Sequence, residues 1–312
     1  MPGVPPTRFT YLGPEGTFSE QALRRVPAAE RAELIPARSV PEAMDSVREG
    51  DADAALVPLE NSVEGAVGVT LDELANGDPL VIVREVVLPV TFVLAARSGQ
   101  SLDEIREIAS HPHAAAQCRG WLRRHLPATS TVDVLSTATA ATGVAKGDYD
   151  AAICAQIAVE HHRLTVLAKD IGDHPEAVTR FVLVSRPAPP PTPSGNDVTS
   201  IVVYIAHDRV GSLLAVLTEL AVRGVNLSRI ESRPVGEALG RYCFFLDCAG
   251  HVAEARMGEA LMGLRRTSAA VRFLGSYPRA SVERVMPAPG TTDEDFADAS
   301  TWLARLRSGG TG

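Results

Sequence analysis

The chain has no cysteine pattern. Its 312 residues hold four cysteines, Cys118, Cys154, Cys243 and Cys248, and no pair has C-x-x-C spacing. Neither a zinc ribbon nor a thioredoxin-type redox motif is supported, and four reduced thiols in cores are expected. Long apolar runs are missing too. The longest, Val86–Ala96, contains Pro89 and is too short to cross a bilayer. Met1–Thr10 has no apolar signal-peptide core, so nothing marks the chain for export, and the cytoplasm is the expected location. Positive charge is in deficit. Against 38 Asp and Glu stand 30 Lys and Arg, a net charge of −8 that argues against a nucleic-acid surface. The length suffices for two or three domains with at least one substantial core.

Strand and helix signals alternate from Phe9 to Ser185, the pattern of α/β units on a mostly parallel sheet. Polar loops recur at the strand ends. Phe9–Leu12 reads as a strand, followed by Gly13-Pro14-Glu15-Gly16-Thr17-Phe18-Ser19 and a helix from Glu20. Its two glycines suit close approach to an anion or simply a tight turn, and the spacing is neither a P-loop nor a dinucleotide fingerprint. Ser39 and Glu42 have capping-box spacing, as do Ser101 and Glu104. Ala52–Val57 is a continuous apolar strand that runs into Pro58-Leu59-Glu60-Asn61-Ser62-Val63-Glu64-Gly65. Those polar groups either meet a ligand, as strand ends do in open α/β sheets, or cap the next helix. In Ser110-His111-Pro112-His113, His111 is either a titratable group in a cleft or a helix cap. Ser136 is a good N-cap, and the free N–H groups of its helix can receive a carboxylate. In Asp170–Arg186 a polar half gives way to an apolar strand with Val178, Phe181, Val182, Leu183 and Val184. Thr179 and Arg180 stand at that change, where a hydroxyl and a fixed cation can face a cleft between two lobes.

Pro187–Gly195 has five prolines in seven residues, which makes a stiff spacer and a domain boundary. The expected division is 1–186, a linker at 187–198, a second domain at 199–277, and a tail at 278–312. Beyond the linker, strands at Thr199–Ala206, Val225–Arg233, Arg241–Cys248 and Val271–Tyr277 alternate with helices at Gly211–Arg223 and Val252–Leu264. The order βαββαβ is the ferredoxin-like arrangement. Asp293–Leu306 is a short amphipathic helix with Phe296, Ala299, Leu303 and Leu306 on one side, expected to dock on its own protein.

Six of these stretches together resemble the prephenate dehydratase family: Tyr11–Ser19, Val57–Gly65, Ser110–Cys118, Ser136–Ala138, Asp170–Phe181 with its Thr179-Arg180-Phe181, and Glu231-Ser232-Arg233-Pro234. Their order and spacing match the family over nearly all of residues 8–277. The resemblance implies an α/β fold with a two-lobed catalytic domain, similar to a periplasmic binding protein. A ferredoxin-like ACT domain that binds phenylalanine between subunits would follow. The implied activity is decarboxylating dehydration of prephenate to phenylpyruvate, with arogenate as the neighbouring substrate. A non-catalytic amino-acid sensor is the reading from another class. The product is aromatic, so the step is downhill and no cofactor or metal is expected.

The resemblance makes Thr179 the catalytic residue. A threonine hydroxyl is too weak an acid to be a charged donor, so its expected role is a hydrogen bond to the departing oxygen. Arg180 would clamp a carboxylate and Phe181 would pack under the site. Glu60, Asn61 and Ser62 would supply polar contacts, with Glu60 kept off the substrate carboxylates. Ser136 and Thr137 would present a helix start to the pyruvyl carboxylate, and Thr17 and Ser19 would close the opposite wall. His111 is the alternative proton donor. For the effector, Gly211-Ser212-Leu213-Leu214 stands where the family has Gly-Ala-Leu, with Val210 in place of the usual proline. Both departures put effector affinity in question. Asn226, Leu227, Glu231, Ser232, Arg233 and Pro234 follow the pattern, with Glu231 expected to receive an ammonium group. The expected partners are prephenate, L-phenylalanine and further copies of the chain, as homodimer or homotetramer.

Overall fold

The computed structural model describes residues 7–205, 210–235, 242–281 and 286–311. The chain separates into two units, one comprising the stretch up to Asp78 with Val86–Arg186, the other Pro79–Glu85 with the stretch from Pro187 onward. In chain order the elements before the linker are β1 (Arg8–Leu12), α1 (Phe18–Leu23), β2 (Glu33–Ala37), α2 (Val40–Glu49), β3 (Ala54–Asn61), β4 (Gly65–Ala66), α3 (Gly68–Asn76), β5 (Val81–Pro89), β6 (Val93–Ala96), β7 (Glu107–Ser110), α4 (Pro112–Gln117), α5 (Arg119–His125), β8 (Ser130–Asp133), α6 (Thr137–Lys146), β9 (Ala151–Cys154), α7 (Gln156–His162), β10 (Thr165–Ala168) and β11 (Val178–Ser185).

Local chemistry accounts for the helices that frame the site. Ser39 Oγ accepts from Glu42 N at the start of α2, and Gly50 ends it at φ 88°, a backbone region open to glycine at little cost. The Glu42 carboxylate accepts from Arg38 N at 2.7 Å, so the expected reciprocal box at Ser39 is displaced by one residue. Val40, Ala43, Met44 and Val47 bury one face of α2. Helix α6 is built the same way, with Ser136 accepting from Thr139 N and Gly147 stopping it at φ 92°.

The expectation of a mostly parallel sheet is corrected. The unit holds two mixed sheets, β2-β1-β3-β11-β5 with β4 beside β3, and β10-β6-β9-β7-β8. β1 pairs parallel with β2 and β3, whereas β11 lies antiparallel on β3. The cause is connectivity. The chain leaves the first sheet after β5, builds the second, and re-enters as β11 at the cleft end, where β3 terminates. The polar stretch after Val57 is accordingly strand rather than loop as far as Asn61, because β11 supplies a partner that pairs Thr179 with Asn61. Pro58 has no N–H for the ladder, and the register shifts there, between Arg180 and Phe181. Helices cover both faces of the second sheet. Ile105, Ile108, Cys118 and Ile153 form one core, and Ala140, Val144, Cys154 and Ala158 the other. All four cysteines are free and buried. Burial pushes the Cys118 and Cys154 thiols up to about 12.

After the linker come β12 (Asp197–Tyr204), α8 (Ser212–Ala221), β13 (Leu227–Pro234), β14 (Tyr242–Ala249), α9 (Ala255–Thr267), β15 (Ala270–Pro278) and α10 (Asp293–Arg307). The strands form one antiparallel sheet in the order β13-β14-β12-β15. Ile201, Val203, Leu220, Leu246, Met257 and Leu264 make its core with the two helices. The expected strand ends at Ala206 and Arg241 lie outside the described residues. The tail helix docks on its own unit at its first turn, where Ala255 N donates to Asp293 Oδ1 at 2.8 Å and Phe296 is half-buried, while the rest of α10 is exposed. Among the described residues no helix is long and apolar enough to cross a membrane.

Candidate active site

A cavity of about 750 Å³ opens between the two lobes of the first unit. The first lobe gives the β1–α1 turn, the end of β3 and the start of β11. The second gives the N-terminal ends of α4 and α6. Thr17, Ser19, Asn61, His111, Ser136, Thr137, Thr179 and Phe181 all line it, so eight side chains spread over 165 positions are brought to one cavity.

Thr179 is 9% exposed and Phe181 beneath it 2%. Asn61 Nδ2 donates to Thr179 Oγ1 at 2.8 Å. Asn61 Oδ1 accepts from the backbone N–H groups of Val63 at 2.8 Å and Glu64 at 3.0 Å. Two N–H donors can only meet the carbonyl oxygen, so the amide orientation is settled by its partners. The amide NH₂ is thereby aimed at the threonine oxygen. Thr179 Oγ1 is an acceptor toward Asn61, and its own hydrogen is left to point elsewhere. A hydroxyl that already accepts a hydrogen bond is polarised into a better donor.

Across the cleft, Ser136 Oγ caps α6 by accepting from Thr139 N at 3.0 Å. The amides at the beginning of a helix have no partner inside it, and the helix dipole adds positive potential there. A carboxylate in the cavity can sit on that end of α6. His111 caps α4, its Nδ1 accepting from His113 N at 3.3 Å. Burial, followed by the charge of the neighbouring His113, holds the His111 pKa below the usual imidazole value. His111 is therefore neutral at pH 7, with Nε2–H as its donor. Thr17 and Ser19 lie on the opposite wall, but the Thr17 hydroxyl donates to Leu12 O at 3.1 Å and caps α1. Buried Glu20 accepts from Gly16 N at 2.6 Å and lies 3.1 Å from His161 Nε2 of α7, tying that turn to the second lobe.

Three expected contacts are not on the cavity wall. Ser62 exchanges hydrogen bonds with Val178, its Oγ accepting from Val178 N at 3.0 Å and its N donating to Val178 O at 2.9 Å. Its hydroxyl closes the β3–β11 end rather than facing the cleft. Glu60 and Arg180 are cross-strand partners in the same ladder, and neither lines the cavity. Among the described residues the arginine at the cavity is Arg38, an exposed side chain paired with Glu42 at 3.0 Å. Sequence reasoning also missed Glu64, His113 and Gln117. Gln117 Nε2 donates to Glu64 Oε1 at 3.1 Å, and His113 Nδ1 lies 3.2 Å from Glu64 Oε2. These contacts bridge the cleft, holding the Glu64 carboxylate between a donor and an imidazole. No local pattern shows such a pair, because 53 positions separate its members.

In the second unit, Gly211 (φ 86°) opens α8, which begins at Ser212, and Leu214 is exposed. β13 is an edge strand. Its register sets Ile230 and Ser232 opposite the core residues Leu246 and Phe244, and Glu231 and Arg233 opposite Phe245 and Cys243. Within one copy, Glu231 and Arg233 therefore lie on the sheet face away from α8, while Ser232 lies on the helical face. Asn226 O accepts from Ala249 N at 2.8 Å, and Leu227 packs on the core. Pro234 ends the strand.

This geometry coincides with what the chain is similar to. A family model described as prephenate dehydratase matches residues 9–189, and one described as an ACT domain matches residues 199–265. The prephenate dehydratase of Amycolatopsis methanolica is 50% identical over 304 residues, covering 97% of this chain and 99% of that one. The crystal structure of prephenate dehydratase from Arthrobacter aurescens in complex with L-Phe superposes with a TM-score of 0.92 at 50% identity, covering 97% of this chain and all of that one. A structure described as GqqA, a novel type of quorum quenching acylase, follows at TM-score 0.78 and 28% identity, covering 89% and 100%. The chain belongs to the prephenate dehydratase family, with an ACT domain following the catalytic unit in the sequence.

Proposed function

We propose that this prephenate dehydratase expels the ring hydroxyl of prephenate by a hydrogen bond from Thr179 Oγ1. As the ring carboxylate leaves as carbon dioxide, its electron pair enters the ring. The C–O bond at the opposite ring carbon breaks, and the oxygen departs with the bonding pair as hydroxide, which solvent protonates to water. A neutral donor aimed at that oxygen stabilises the charge as it develops. The observation that carries this reading is the Asn61–Thr179 hydrogen bond at 2.8 Å, whose direction leaves the threonine hydrogen for the substrate. The start of α6 at Ser136 and Thr137 holds the pyruvyl carboxylate, and Phe181 forms an apolar floor beneath the ring.

His111 is not the acid in this account. If it were, the depressed pKa requires kcat to be high only below about pH 6.5 and to fall as pH rises through the imidazole range. The threonine account predicts a kcat that stays level, within about twofold, from pH 6 to 9, measured as phenylpyruvate formation at saturating prephenate. A fall of tenfold or more centred below pH 6.5, abolished by His111→Asn, transfers the role to His111.

L-Phenylalanine is the effector, bound by the ACT domain of paired subunits. The L-Phe complex of the Arthrobacter relative supports this reading, as does the position of Glu231 and Arg233 on an edge strand that a second copy can extend. Isothermal titration of the full chain with phenylalanine should show saturable binding that Glu231→Ala weakens at least tenfold. Binding unaffected by that change removes Glu231 from the site. We place the enzyme in the cytoplasm, where four free thiols are stable.

A further inference from the structure

We propose that α10 is a self-association element that pairs antiparallel with α10 of a second copy of this chain. The helix is well made. Thr292 Oγ1 accepts from Asp295 N at 3.2 Å, and the Asp295 carboxylate accepts from Thr292 N at 2.9 Å. Acidic residues fill its first turn, and Arg305 and Arg307 its last. Its first turn is tied to its own unit, Ala255 N donating to Asp293 Oδ1 at 2.8 Å. Beyond that turn it stands clear. Trp302, Leu303 and Leu306 are 50%, 40% and 37% exposed. At about 100° per residue these three fall with Ala299 and half-buried Phe296 in one stripe roughly 120° wide, which also holds Asp295, its carboxylate turned back to Thr292. Fifteen residues are marginal as an isolated helix in water, so a stripe of this kind calls for a cover.

The charges beside the stripe identify the cover. Asp298 and Arg305 fall along one flank, Asp293 and Arg307 along the other. When two copies lie antiparallel about Thr301, Phe296 of one meets Leu306 of the other, and Ala299 meets Leu303. Asp298 then meets Arg305, Asp293 comes level with Arg307, and the two Trp302 rings flank the dyad. The apolar pairs centre on Thr301, and the charged pairs centre within about one residue of it. A parallel pair brings opposite flanks together, setting Asp298 near Asp293 and Arg305 near Arg307, which is repulsive. The antiparallel pair is isologous and closes.

Crosslinking tests this in the full chain, where the four native cysteines are buried. Phe296→Cys and Leu306→Cys chains, made separately and mixed under mild oxidation, are expected to form a disulfide-linked heterodimer, while Phe296→Cys alone stays unlinked. Sedimentation equilibrium of Leu303→Glu/Leu306→Glu is expected to show self-association weakened about tenfold or more, with prephenate turnover unchanged. Three outcomes overturn the proposal: Phe296→Cys chains that link to themselves, a mixture that does not link, or a double variant that associates like the wild type. The last means that the chain itself or an unrelated partner covers the stripe.

Discussion

Replacing Thr179 by alanine is expected to lower kcat for prephenate by about 10²–10³, the usual effect of deleting one donor to developing charge. KM should change by less than about threefold, because the lost bond forms as the oxygen departs rather than on binding. Thr179→Ser keeps the hydroxyl and should retain activity within about tenfold. The substitution should leave the fold intact, since Thr179 lies at the start of β11 on a cavity wall and the strand beyond it packs through Phe181, Val182 and Val184. Steady-state kinetics of both variants decide the matter. A loss below tenfold in Thr179→Ala removes the hydroxyl from the reaction.

Asn61→Asp carries an expectation of similar size for a different reason. The aspartate oxygens can still accept from Val63 N and Glu64 N, so the turn survives. The group facing Thr179 changes from an NH₂ donor to a carboxylate, which recruits the threonine hydrogen for itself. The hydroxyl then turns away from the substrate, and a negative charge is added beside a dianion. About 10²–10³ is the expected loss in kcat/KM. Because both residues serve one hydrogen bond, Asn61→Asp in a Thr179→Ala background should cost far less than in the wild type. Equal cost in both backgrounds contradicts the coupling. Circular dichroism and thermal melts should show the folded state retained.

Much of this site was legible before the structure. Thr179, Asn61 and Ser136 stand at changes from apolar strand to polar loop or at a capped helix start, and those changes are local. What hid from the sequence was pairing at a distance. β3 reaches Asn61 because a strand more than a hundred residues later lies on it. That same strand occupies Ser62 with the backbone of Val178 and makes Arg180 a ladder partner of Glu60. Glu64 and Gln117 each fall within a stretch that resembles the family, yet nothing local shows that they touch. The mixed sheets have the same origin, since strand direction depends on where the chain re-enters. In the second unit the βαββαβ order was readable from periodicity. Which of Glu231 and Ser232 takes the helical face needed the register of β13 on β14. The apolar stripe of α10 was visible as a pattern, but exposure decides what such a stripe is for, and that belongs to the folded chain.

The central claim is that this cleft turns prephenate into phenylpyruvate through a neutral hydroxyl. Its most direct test is turnover by the purified full-length enzyme and its Thr179→Ala variant, with prephenate and arogenate offered separately. The account predicts phenylpyruvate and carbon dioxide in equal amounts from prephenate. It also predicts a higher kcat/KM for prephenate than for arogenate, and a loss of about 10²–10³ in the variant. Turnover of prephenate by the variant at the wild-type rate, or no phenylpyruvate from the wild type, would contradict it.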